Sequence, residues 1–184
     1  MRQGQISTTG HALLGLLSFA GEVSGYELKQ LADRTLRFFW VSPAMSQVYS
    51  ELGTLDRAGL VEAREEAANG PRPARRYRLT PAGEEELRRW LAQSDVGFPV
   101  IKHGVALRLF LGHMVSPDRM EEMLQRYTEQ LEGRTAELAQ IREGLGDDPA
   151  YRYAALVAEW GQRYYREEAE AVQVVLEALS RPRT

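Results

Sequence analysis

The chain has 184 residues, 43% of them hydrophobic and 27% charged, enough for one domain or two small ones with a buried core. The absence of cysteine excludes disulfides and thiolate metal sites, and a formal net charge of -3 excludes a bulk polycation, so any anion binding must be local. The longest apolar run, ALLGLLSFA, is far shorter than the about 20 residues of a membrane helix, so no span is expected and a cytoplasmic location is.

The first predicted helix covers about 8–20, with Thr8 and Thr9 as its caps. Ser24-Gly25-Tyr26-Glu27 places serine three residues before glutamate, a pairing that closes a helix N-terminus reciprocally, and predicts a second helix over 24–35. Four Ser/Thr/Asp-Pro pairs, at Ser42, Thr80, Ser116 and Asp148, put an oxygen at an N-cap and proline in the first turn, marking four further helix starts. The helix predicted over 43–58 carries Met45, Val48, Leu52 and Leu55 on one face and stops at Gly59. Strands at 60–67 and 74–80 flank a Gly70-Pro71 turn, and a helix over 81–92 follows.

Three helices followed by a two-stranded hairpin make a winged helix-turn-helix, assigned to residues 1–92. In that arrangement the later helix enters the DNA major groove and the earlier one crosses the backbone. With Val48, Leu52 and Leu55 turned inward, Ser46, Gln47, Tyr49 and Ser50 fall on or near the outer flank. Gln47 can pair bidentately with adenine, and the two serines can bond phosphate or a base edge. Tyr26 and Lys29 open the second helix, whose N-terminal amides suit a phosphate.

The hairpin carries NGPRPARRYRLT, with four arginines and no acid. Glu62, Glu65 and Glu66 on the outgoing arm are expected to pair with Arg76 and Arg78. Arg72 and Arg75 sit nearest the turn, where no facing acid is expected, and are assigned to flanking phosphates; Arg76 joins them as a candidate DNA contact.

Residues 93–184 are more acidic, with 15 acids against 11 bases, where residues 1–92 have 11 against 12. After a linker at SDVGFPV the reading is all-helical. Leu124, Leu131, Leu138 and Leu145 recur every seven residues, with Arg134 interrupting the alternate seam. The last helix offers Tyr153, Val157, Trp160, Tyr164, Ala171, Val175 and Ala178 as a second stripe. Intermolecular pairing through Leu124, Leu131, Leu138, Val157, Trp160 and Tyr164 is preferred over an intramolecular helical hairpin, making 93–184 a dimerisation domain. The fold class is therefore mainly α: a winged helix with a two-stranded wing, then an all-α dimerisation region.

The ordered set HALLGLLSFAGEVSGYELKQ, FWVSPAMSQVYSELGTLDRAGLV and GPRPARRYRLTPAGEEEL resembles the PadR family of winged-helix transcriptional regulators. IKHGVALRLFLG and the helices after it are similar to the virulence-activator-type C-terminal region of many members. The resemblance implies a homodimeric regulator, a repressor, on a pseudo-palindromic double-stranded DNA operator, with a small-molecule effector of unknown identity as a further candidate partner. The Ala44-Met45 start of the third helix departs from the polar residues frequent there, so its first turn is expected to contact DNA less.

No catalytic, cofactor or metal site is expected. His11, His103 and His113 have no helical metal-binding spacing, and no nucleophile elbow or phosphate-binding glycine loop occurs. The competing reading is a protein-protein adaptor whose basic wing docks an acidic partner.

Overall fold

The computed structural model describes residues 6–66, 74–98 and 102–181, with the side chains of Glu66 and Ala74 excepted. They form two compact units that divide after Phe98.

In the first unit the order is α1 (Thr8–Ala20), β1 (Val23–Ser24), α2 (Gly25–Thr35), a 3-10 turn (Leu36–Phe38), α3 (Met45–Arg57), β2 (Val61–Glu66), β3 (Ala74–Leu79) and α4 (Pro81–Gln93). Helix α1 is capped by Ser7, whose hydroxyl accepts the Gly10 amide, and not by Thr8 or Thr9 as expected. The α2 box forms as read: Ser24 and Glu27 each accept the other's backbone N–H, at 3.2 and 2.7 Å. Ser42-Pro43 does not start α3. The Ser42 hydroxyl donates to Asp33 at 2.6 Å, Pro43 is buried, and the helix begins two residues later behind Ala44.

Leu13, Leu14 and Leu17 of α1, Leu28 and Ala32 of α2, Val48, Leu52 and Leu55 of α3, and Val61 and Tyr77 of the sheet form one closed core. Each fully buried leucine contributes about 1.5–3 kcal/mol relative to exposure. The sheet has three strands, not two, in the order β1-β3-β2: two residues of β1 pair with β3 as Val23↔Tyr77 and Ser24↔Arg76. Gly59 ends α3 at φ 72°, a left-handed turn that sends the chain into β2. Gly83 brings the first turn of α4 against the sheet entry so closely that a Cβ there would lie 2.0 Å from the Leu60 carbonyl oxygen. Helix α4 is also tied to α1 by buried His11, whose Nε2 lies 2.9 Å from Glu86 and whose ring stacks on Trp90 with centroids 4.7 Å apart. Burial lowers the His11 pKa, the bond to the Ser7 carbonyl opposes that, and Arg89 adds to it.

In the second unit α5 (Gly104–Phe110), α6 (Pro117–Leu145) and α7 (Arg152–Leu179) form a helical hairpin with a short helix against one end. Asp148 caps a single 3-10 turn, Pro149–Tyr151, ahead of α7. Helices α6 and α7 run antiparallel, as Arg142 bonds Glu159, Leu138 meets Gly161, and Leu124 packs with Val172. This corrects the expected intermolecular use of the leucine seam. Leu124, Leu131 and Leu138 are at most 4% exposed because α7 of the same chain covers them, so they are not available to a second copy. The α7 residues buried against α6 include Ala155, Ala158, Gly161 and Val172, with Val175 packed beside them, while Tyr153, Val157, Trp160 and Tyr164 of the second stripe stay exposed. Small residues let the two backbones approach and leave the bulky side chains outside.

His103 links the short helix to the hairpin. Its Nδ1 accepts the Ala106 amide at 3.0 Å, which leaves the proton on Nε2, 2.8 Å from Glu168. Burial and the Glu168 carboxylate push neighbouring Tyr127 up to about 12.

Candidate nucleic-acid interface

Helix α3 is positioned by Val48, Leu52 and Leu55, none of which retains any exposure. With that face inward, Ser46, Gln47 and Ser50 are exposed, and Tyr49 is 49% exposed. Tyr49 is also a packing residue: its ring lies over Gly25, where an added Cβ would come within 2.6 Å of the ring. The first turn of α2 and the outer flank of α3 are thereby locked together. Tyr26, on that same turn, is 57% exposed.

One exposed cation escaped the sequence reading. Arg57 follows Ser46, Ser50 and Gly53 at intervals of four, three and four, which places it on the same outward face, held by a 3.2 Å bond to the Thr54 hydroxyl. Continuing the helical spacing past the first two turns was the signal that would have found it. A Cβ on Gly53 would meet nothing within 4 Å, so the middle of this face is open to close approach.

The expected cations are less free than their sequence context suggested. Lys29 is paired with Asp33 one turn on, and most of its side chain is covered. Arg78 bonds Glu62 across the strands, as expected. Arg75 does have acids nearby, contrary to expectation: the register puts Glu65 opposite it, and Asp56 of α3 lies 3.6 Å away. Its side chain remains 55% exposed, so the Asp56 contact holds it beside the last turn of α3 without hiding it. The register partner of Arg76 on β2 is Arg64, and its guanidinium reaches Glu22 and Glu27 on the other side of β3. Arg72, Pro71 and Pro73 lie outside the described residues.

An open groove of about 1370 Å³ on the first unit is lined by His11, Arg57, Arg89 and Trp90 among others. Among the described residues no group of three or more His, Asp or Glu is placed to hold a metal ion, and no helix is long and apolar enough to cross a membrane.

The family model of the transcriptional regulator PadR-like family matches residues 13–89, and that of the virulence activator alpha C-terminal region matches 101–180. The chain belongs to the PadR-like family of transcriptional regulators. Between them the two matches span both units of this PadR-like chain. The negative transcriptional regulator PadR of Bacillus subtilis is 29% identical over 132 residues, which is 72% of this chain and 70% of that one. Bacillus subtilis PadR solved with operator DNA superposes with a TM-score of 0.81 at 23% identity, covering 95% of this chain and 100% of the other. The same protein solved with p-coumaric acid gives 0.71 at 22% identity over 94% and 95%. At these identities the two superpositions establish the fold.

Proposed function

We propose that this PadR-like regulator is a repressor that binds a pseudo-palindromic operator in the cytoplasm as a homodimer, and that it is not an enzyme. The observation that carries the reading is the outward flank of α3. Ser46, Gln47 and Ser50 are exposed in one strip, Tyr49 is braced on Gly25 beside them, and Arg75 is held against the end of the same helix by Asp56. Gln47 reads a base, the serines and Tyr26 bond phosphate or base edges, and Arg75 meets the flanking backbone. Arg57 extends the strip by a further cation. Lys29 contributes only where Asp33 releases it.

Dimerisation proceeds through the outer stripe of α7, where Val157, Trp160 and Tyr164 are 39, 59 and 48% exposed. Trp160 and Tyr164 stack with centroids 5.8 Å apart, a preformed aromatic surface of the kind that anchors interfaces. A small aromatic acid is the effector class to test first, because a similar structure holds p-coumaric acid. Quenching of tryptophan emission on adding p-coumaric acid is the measurement.

The deciding experiment is a mobility shift with a duplex from upstream of the chain's own gene, at several salt concentrations. Each neutralised phosphate adds about -0.9 to the slope of log K against log salt, so the shift should weaken steeply with salt. A wild-type chain with no salt-sensitive shift would remove the regulator reading and favour the adaptor.

A further inference from the structure

We infer that Arg76 is a positioning residue that clips the wing to the N-terminus of α2 and does not itself contact phosphate. The inference deepens the DNA-binding reading and rests on it.

The observation is the set of acceptors around one guanidinium. Arg76 Nη2 donates to the Glu22 carbonyl oxygen at 2.7 Å, Nη1 lies 3.5 Å from Glu27 Oε2, and Nε lies 3.9 Å from Glu22 Oε1. These groups come from two neighbouring points of the chain: Glu22, the residue before β1, and Glu27 in the first turn of α2. A planar fork of fixed donors matches such a set, where an ammonium would meet only part of it. The side chain is 28% exposed, against 55% for Arg75 and 59% for Arg78 on the same strand.

Two features of the sheet explain why this clip exists. Strand β1 has only two residues, and two ladder positions hold an edge weakly. The Arg76 bond to the Glu22 carbonyl carries the tie one residue beyond the ladder. On its other side Arg76 faces Arg64, and like charges opposite one another destabilise a strand pair, a repulsion that the Glu22 and Glu27 carboxylates offset. Glu27 does two tasks at once. The oxygen that faces Arg76 also accepts the Ser24 amide, so one carboxylate closes α2 and joins it to the wing. Since Tyr49 rests on Gly25 of the same turn, the clip fixes the wing, α2 and the α3 flank relative to one another.

The test compares wild type, Arg76→Ala and Arg76→Lys in the full chain. Amide exchange without DNA should quicken at Ser24, Glu27 and Tyr77 in both variants while the α6–α7 amides are unchanged, which also shows that the variants fold. Unchanged exchange in the β1–β3 ladder overturns the clip. Binding to the upstream duplex should fall by about tenfold in both variants, with a salt slope parallel to wild type, because a charge-assisted contact is lost but no phosphate contact is. A slope reduced by about 0.9 per half-site in Arg76→Ala and restored in Arg76→Lys makes Arg76 a phosphate ligand and overturns the proposal. If wild type binds with no salt dependence, the DNA reading itself fails, and with it the wing-setting role; the exchange result then still decides whether the clip exists.

Discussion

The two units solve burial in opposite ways. The first gathers one core among three helices, a small sheet and α4, leaves Phe19, Trp40, Val41 and Leu91 exposed at scattered points, and keeps the outer flank of α3 polar apart from Tyr49. The second buries a narrow seam between two long helices and leaves Tyr153, Leu156, Val157, Trp160 and Tyr164 on the outside of α7. A monomeric surface seldom retains so many large apolar groups without a partner. The difference separates two kinds of recognition: a polar strip suited to reading hydrogen-bond patterns, and an aromatic stripe suited to burying area against protein.

A single leucine should break the second unit more readily than the first. Leu131 sits midway along the seam at 4% exposure, with few neighbouring layers to collapse into the space it leaves. Leu131→Ala should cost about 2–5 kcal/mol. Chemical denaturation followed by far-ultraviolet circular dichroism should show the loss in the helical unit, with the α1–α4 amides retaining their exchange protection. Equal loss of protection in both units would mean that they unfold as one.

The aromatic stripe supplies the next test. Trp160→Ala should weaken self-association by about 2 kcal/mol or more, since exposed aromatic anchors carry much of an interface's energy. Sedimentation equilibrium measures it. Helix content should not change, because 59% of Trp160 is already outside the hairpin. A dimer of undiminished affinity would move the interface away from this stripe.

These contrasts were unequally legible in the sequence. Order and type of the main elements could be read because caps and helical period agreed at Ser24, Thr80 and along Val48, Leu52 and Leu55. Strand β1 could not, since two residues carry no alternation. The heptad leucines were found, but their partner was misassigned. Ala155, Ala158 and Gly161 rank low in hydrophobicity, and their value to packing lies in being small, which a pattern of large apolar residues passes over. Ser42 is not the cap because α3 begins at Met45 behind Ala44, which leaves the Ser42 hydroxyl outside the helix, donating to Asp33. The Arg76 clip could not be read because its acceptors Glu22 and Glu27 lie about fifty residues upstream, beyond the reach of any hairpin pairing rule.

On the polar strip, Gln47→Ala should reduce discrimination between the operator and single-base variants by about 1–3 kcal/mol at one position. Competition binding against a panel of point-substituted duplexes checks it. The salt slope should not change, because no phosphate contact is lost. Uniform weakening across all duplexes would reassign Gln47 to the backbone and leave base reading to Ser46 or Ser50.

The smallest effect contrasts two tyrosines. Burial raises the pKa of Tyr77 in the first unit, but Arg75 opposes it; Tyr127 in the second unit is raised by burial and again by Glu168, to about 12. A phenol whose folded pKa exceeds its unfolded value near 10 contributes stability that is complete below pH 10 and is lost as pH rises through about 12. The helical unit should therefore lose a little more stability than Tyr127→Phe does over that window. Difference melts between pH 9 and 12 check the sign, and phenolate absorbance identifies the last tyrosine to ionise. Early ionisation of Tyr127 would mean that the Glu168 carboxylate does not face it in solution, and that the link between α6 and α7 at His103 is looser than its hydrogen bonds indicate.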